Sequence, residues 1–185
     1  EARDALVGLG VFRNESGNPE RLLPFTELVY GLTDRQELTF EIAGLSVDNE
    51  YGLSDSVLGS KYVFLKEAGR RPGIAGSFEL KLPTGDESRG LGSGEFDYDL
   101  RLRAQKTWGW FTAIGNVGYT FVTGPQFGGV TTSAENVWLL TFGQEYQVAK
   151  KTKLLSEIYF VSRDVPGDPN RLAANIGFKH KLRDS

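Results

Sequence analysis

The chain of 185 residues has no cysteine and no methionine, and its one histidine is His180. Without cysteine, neither disulfides nor thiolate metal sites can contribute to the protein. No segment approaches the ~18 consecutive apolar residues of a transmembrane helix, so any membrane crossing would have to use strands. Because the chain starts at Glu1 and lacks methionine, we expect that a leader has been removed or is not part of this sequence.

The charge balance is slightly acidic, with a formal net charge of −3. A general nucleic-acid binder usually carries a basic excess, so the composition argues against a nucleic-acid partner. The length suits a single domain over residues 1–185 that is large enough to bury a core or to close a barrel.

Strict alternation of side-chain character is present in "GEFDYDLRLRAQ", residues 94–105. Every second residue from Glu95 is polar or charged, and the residues between are apolar or aromatic. A period of two predicts a β-strand with two different faces. One face would carry acids followed by bases, and the other would be apolar.

Similar alternation and little helical periodicity extend along the whole chain. The sequence predicts ten strands, at residues 5–13, 22–31, 36–44, 56–66, 73–82, 95–106, 110–122, 136–148, 153–163 and 171–182.

The connections between these segments alternate in length. The long ones are "NESGNPER", "LSVDNEYGLSD", "PTGDESRGLGSG", "TGPQFGGVTTSA" and "DVPGDPN", and the short ones are "LTDR", "EAGRRP", "TWG" and "AKKT". Long external loops and short periplasmic turns are typical of an outer-membrane barrel. The predicted fold class is therefore all-β, an antiparallel up-and-down transmembrane β-barrel of about ten strands.

Aromatic residues lie near the predicted strand ends, as expected for side chains at a bilayer interface. A soluble barrel with core aromatics is the alternative, but it does not explain two aromatic belts or loops that are long at one end only. The predicted interface residues are Tyr30, Phe64, Trp108, Trp110, Trp138 and Tyr146.

The charged face of the strands is predicted to line the lumen, where charges can pair across strands or bind trapped water. The apolar face would then contact lipid. The predicted lumen-lining residues are Glu27, Glu37, Glu41, Lys61, Glu79, Lys81, Asp97, Asp99, Arg101, Arg103, Glu145, Glu157 and Lys179.

Several short motifs resemble one family, the outer-membrane β-barrels associated with a MetA pathway of phenol degradation. They are "YGLTD" (30–34), "LSD" (53–55), "LGSKY" (58–62), "LKLPTGD" (80–86), "GLGSG" (90–94) and "GYT" (118–120). The resemblance covers most of residues 22–182, and "KLPTGD" is its most specific block. It implies a barrel with a transporter-like role in a degradation pathway.

Chemical sites are few in the sequence. The "GLGSG" segment is expected to be a flexible external loop, since no helix follows it as in a phosphate-binding loop. Asp97 and Asp99, with Glu95, could bind a divalent ion, but Arg101 and the next arginine favour a salt-bridge ladder. His180 is expected at the membrane interface. We predict no catalytic residue, no metal and no cofactor.

Two functions remain open from the sequence. One is a narrow channel or transporter for small solutes, aromatic ones included, in the bacterial outer membrane. The other is an occluded structural or interaction barrel that anchors a partner there. Ten strands lie near the filled end of the barrel series, which predicts a narrow or plugged lumen. Expected partners are outer-membrane lipid, lipopolysaccharide and a protein bound at the external loops or periplasmic turns.

Overall fold

The computed structural model describes residues 3–10, 23–47, 50–124, 135–163, 167 and 169–180. Its strands are β1 (Arg3–Gly10), β2 (Leu23–Gly31), β3 (Gln36–Val47), β4 (Glu50–Leu53), β5 (Ser56–Leu65), β6 (Gly73–Leu82), β7 (Asp97–Trp108), β8 (Phe111–Val122), β9 (Val137–Ala149), β10 (Thr152–Val161) and β11 (Arg171–His180).

Ten of the strands form one antiparallel meander in the order β1-β2-β3-β5-β6-β7-β8-β9-β10-β11. The sheet curls into a half-barrel, and this shape is consistent with an up-and-down β-barrel. Within the described ranges, β1 and β11 form no ladder with each other, so each leaves one edge unpaired. The predicted all-β antiparallel class is confirmed, and the ten predicted strands are present. Residues 11–13, 22 and 181–182, which were assigned to the first, second and last predicted strands, lie outside the described residues.

The predicted alternation of connection lengths is also present. Residues 32–35, 66–72, 109–110 and 150–151 form the short turns. The turn between β7 and β8 has only two residues, and Gly109 adopts a φ of 60° there, as a tight hairpin turn requires. The loop "NESGNPER" and much of the last two long loops lie outside the described residues.

One strand was not expected. β4 lies within the predicted loop "LSVDNEYGLSD" and pairs with the end of β3, from Gly44↔Leu53 to Val47↔Glu50. This short hairpin extends the sheet at its long-loop end. Apart from strands, the described residues include a single 3-10 turn at Glu87–Arg89. No helix in the described ranges is long and apolar enough to cross a membrane.

Burial in this sheet is inverted relative to a globular core. Among the described residues, Ala75 and Leu91 are the only buried hydrophobic side chains, whereas Asp97 and Asp99 are buried with 7% and 9% exposure. Leu100, which lies between Asp99 and Arg101 on the opposite face, is 49% exposed. The charged face of the strands is therefore the concave face, and the apolar face is convex.

Candidate functional site: the charged concave face

Ion pairs join β6 and β7 at the long-loop end of the concave face. The register places Glu79 opposite Asp99 and Lys81 opposite Asp97. Lys81 pairs with Asp97, and Arg101 Nη2 lies 3.1 Å from Glu79 Oε2. Arg101 Nε also lies 2.6 Å from Asp99 Oδ1. That second contact is an ion pair without hydrogen-bond alignment, because neither atom has a hydrogen-bond partner.

Neutral donors from β8 and from the residue that follows it complete the environment of both aspartates. Thr120 Oγ1 donates a hydrogen bond to Asp99 Oδ2 at 2.6 Å, and the Thr123 backbone N–H donates to Asp97 Oδ1 at 3.1 Å. A buried carboxylate is tolerated only when cations and donors offset its desolvation. Each aspartate has both here, which explains how the sheet accommodates them with so little exposure.

Other pairs of opposite charge lie farther round the sheet. Lys61 of β5 pairs with Glu37 of β3, and Lys153 of β10 lies 2.7 Å from Glu145 of β9. The cross-strand salt bridges expected from the sequence are therefore present. Lys153 was not among the predicted residues, although it alternates onto the same face of β10 as Glu157, which was predicted.

A cavity of about 550 Å³ occupies the middle of the concave face. Of the 13 predicted lumen residues, seven line this cavity: Glu27, Glu37, Lys61, Glu79, Arg101, Arg103 and Glu157. The other six lie on the strands outside its lining: Glu41, Lys81, Asp97, Asp99, Glu145 and Lys179.

A second cavity of about 340 Å³ is lined by Lys66, Glu67 and Gln105, among others, and lies toward the short turns. Both cavities are lined by Lys61, Ala75 and Arg103. These three residues therefore mark the level at which the two spaces meet.

Asp55 organises the long loop between β6 and β7, and sequence reasoning did not identify it. Its carboxylate accepts hydrogen bonds from the backbone N–H of Gly85 at 2.9 Å and from the N–H and Oγ of Ser93 at 2.9 and 3.0 Å. Three motifs that carry the family resemblance, "LSD", "LKLPTGD" and "GLGSG", thus meet at one carboxylate.

The same loop is tightly packed, unlike the flexible loop expected for "GLGSG". Leu91 is 1% exposed. A Cβ on Gly85 would lie 2.4 Å from the Leu91 carbonyl oxygen, and one on Gly92 would lie 2.5 Å from Asp55 Oδ1. Only glycine permits these close approaches, so the two glycines are required for packing.

Aromatic rings cluster at both ends of β8 and its neighbours. Phe111 has ring centroids 5.9, 6.2 and 5.2 Å from those of Trp108, Trp110 and Tyr146 at the short-turn end. At the other end, Tyr119 lies 4.8 Å from Phe121 and 4.6 Å from Trp138. Phe64 and Tyr30, also predicted for the belts, are 56% and 40% exposed.

Charged groups at the short turns interact locally. Lys106 and the Thr107 N–H both donate to Glu67 Oε1 at 2.8 Å, and these hydrogen bonds lower the pKa of the Glu67 carboxyl. The pKa of Asp34 is also lowered, because Lys66 donates a hydrogen bond to it. The first set of contacts ties one turn to β7, and the second joins two neighbouring turns.

Metal-binding geometry is not found in the part of the chain that the structure describes, where no group of three or more His, Cys, Asp or Glu side chains is placed to hold an ion. Asp97 and Asp99 have instead the cationic partners described above. The His180 Nδ1 lies 2.9 Å from Thr152 Oγ1 at the end of β11.

The curled antiparallel sheet, charged inside and apolar outside, defines a protein of β-barrel-like fold. The chain belongs to the family described as "Putative MetA-pathway of phenol degradation", whose model matches residues 3–182. A search of curated proteins gave no match. The family resemblance drawn from the sequence motifs is confirmed.

Proposed function

We propose that the protein is a β-barrel of the bacterial outer membrane that serves as a narrow channel or transporter for small solutes, aromatic ones included. The inverted polarity of the sheet carries this proposal. The convex face exposes many large apolar side chains, such as Leu100, Leu102 and Phe142, whereas soluble monomers usually expose only limited apolar patches, and such a face suits contact with lipid. No enzymatic activity is part of the proposal.

The spacing of the aromatic clusters supports the membrane placement. Phe111 and Phe121 are ten residues apart on β8, and ten residues of strand span ~33 Å. A strand tilt of ~40° reduces this to a height of ~25 Å, which matches the apolar band of outer-membrane barrels. The convex positions of β8 between these two residues carry no charged side chain.

The channel role is supported by the cavity on the concave face. A space of about 550 Å³ remains beside the ion pairs. Its charged lining suits polar or ionic solutes better than it suits hydrocarbons. Its size lies within the range of small-molecule sites.

An occluded interaction barrel is the second candidate. The ion pair of Lys81 with Asp97 and the packed loop around Leu91 both lie at the long-loop end of the sheet, where an occluded barrel would be closed. In this alternative the loops would bind lipopolysaccharide or a partner protein, and the barrel would be an anchor.

The test uses the three tryptophans, at positions 108, 110 and 138. Variants that each retain one tryptophan, with the others changed to phenylalanine, are placed in vesicles whose lipids carry bromine at a known depth. We expect stronger quenching by bromine near the headgroups than near the chain ends. Monodisperse protein in detergent-free buffer, with no quenching by either lipid, would overturn the membrane proposal.

Planar-bilayer recordings then separate the two roles. A small, steady current from the membrane-inserted protein is the result expected for a narrow channel. Insertion without any current would reject the channel and support the occluded barrel.

A further inference from the structure

Arg103 is unusual among the basic residues that line the larger cavity. The other two, Lys61 and Arg101, each pair with a carboxylate. No described carboxylate oxygen lies within 4.0 Å of the Arg103 guanidinium, and its Nε is buried without a hydrogen-bond partner. A buried donor left in this state costs free energy, which a bound acceptor would recover.

The sheet register explains why Arg103 has no partner. Its neighbours across the ladders are Ala75 on β6 and Asn116 on β8, followed by Thr141 on β9 and Tyr159 on β10. None of these residues carries a carboxylate. By contrast, the neighbours of Asp97 and Asp99 on β6 include a lysine and a glutamate that complete an ion-pair ladder.

The surroundings of Arg103 nevertheless form a site. Ala75, Asn116, Thr141 and Tyr159 all line the larger cavity with it. Asn116 Nδ2 donates to Thr141 Oγ1 at 2.6 Å, which holds both polar side chains in place beside the guanidinium. Because Arg103 lines both cavities, it lies within reach of a solute in either of them.

We propose that Arg103 forms a binding site for small organic monocarboxylates at the junction of the two cavities. A planar carboxylate can accept two parallel hydrogen bonds from a guanidinium, which is the strongest neutralising contact available to it. The larger cavity is also lined by Glu27 and Glu157. Their charges disfavour a dianion such as phosphate, whereas a single carboxylate matches Arg103, which is the one cation in the lining of this cavity without a carboxylate partner.

This inference deepens the proposed function, on which its transport role rests. In a channel, the site would raise the permeability of carboxylates relative to potassium, because a fixed cation that lines the pathway attracts anions. Binding itself does not require that the protein conducts.

Binding is tested by chemical labelling of the wild-type protein in vesicles with phenylglyoxal, an arginine reagent, followed by mass spectrometry of the peptides. We expect propionate to slow the labelling of Arg103 at least threefold, and propionamide, its neutral analogue, to have no effect. Arg70, exposed in the turn between β5 and β6, is the internal control, and its rate should not change. Equal labelling of Arg103 in propionate and propionamide would overturn the site.

Selectivity is tested by reversal potentials in a gradient of potassium propionate. Arg103→Gln should lower the propionate-to-potassium permeability ratio at least threefold, and the control Arg70→Gln should leave it unchanged. An unchanged ratio in Arg103→Gln would overturn the transport role of the site. Absence of current from all three proteins would reject the channel, while the labelling result would still decide the binding.

Discussion

Leu102 and Arg103 are consecutive in β7 but face opposite sides of the sheet. Leu102 is 50% exposed on the convex face, and Arg103 lines the cavities. If the convex face contacts lipid, then two substitutions at adjacent positions should differ greatly in their effect on stability.

We expect Leu102→Arg to lower the free energy of unfolding by ~2–4 kcal/mol, the cost of a cation on the lipid face near the membrane midplane. Arg103→Leu should change it by less than ~1 kcal/mol, since it breaks no ion pair. Arg101→Leu is an intermediate control, because it leaves Glu79 and Asp99 without their cation at a cost of ~1–3 kcal/mol. Urea titrations in lipid vesicles measure all three. Equal losses for Leu102→Arg and Arg103→Leu would contradict the assignment of the faces.

The alternation of residues along β7 was sufficient to predict which face of the sheet each side chain is on, but not which residues it contacts. Alternation gives the side of a strand, whereas pairing depends on the register between strands. Arg101 and Arg103 alternate onto the same face of β7, so the sequence pattern does not distinguish them. The first has Glu79 and Asp99 as counterions, and the second lies between Ala75 and Asn116. The distinction that matters for function therefore required the structure.

The loop between β6 and β7 is a folded element that depends on Asp55. Its carboxylate contacts residues 30 and 38 positions later in the chain. We expect Asp55→Ala to release the loop and to speed trypsin cleavage after the exposed Arg89 at least fivefold. This follows from the ~1–3 kcal/mol cost of leaving the loop donors unsatisfied, if loop opening precedes cleavage.

Ser88→Ala is the matched control for this cleavage assay. Ser88 donates to Asp86 within the same loop and makes no contact with Asp55 that the structure records, so its loss should leave the cleavage rate nearly unchanged. Equal rates in wild type and Asp55→Ala would show that Asp55 does not hold the loop.

The ten main strands could be predicted because their information is local, in period-two alternation and in turn residues such as Gly109. The loop around Asp55 could not, because the hydrogen bonds that shape it join residues far apart in sequence. β4 was missed for a related reason. Its four residues are too few to show a pattern, and they become a strand only because the end of β3 offers them a partner.

β1 and β11 are the two outer strands of the meander. Within the described residues, each of them pairs with a neighbour on one side only. On β11, Leu172, Ile176 and Phe178 are 74%, 79% and 77% exposed. Unpaired backbone groups are not tolerated in a bilayer core, so an open sheet of this kind could not remain open in lipid.

We predict that β1 and β11 pair with each other in a membrane and close the barrel. Because ten strands alternate in direction, the first and last are antiparallel and can pair without a crossover connection.

The cysteine-free chain permits a direct test. Ala174→Cys on β11 is combined with a cysteine at Ala5, Val7 or Leu9 on β1, and disulfide formation under mild oxidation is measured in vesicles. One of the three combinations should give a disulfide within a single chain, since neighbouring strands bring Cα atoms within the ~4.4–6.8 Å that a disulfide needs. Ala174→Cys with Ala104→Cys, on β7, is the control and should not cross-link. Cross-links between chains alone would contradict closure within one chain and would mean that a second copy pairs with the open edges.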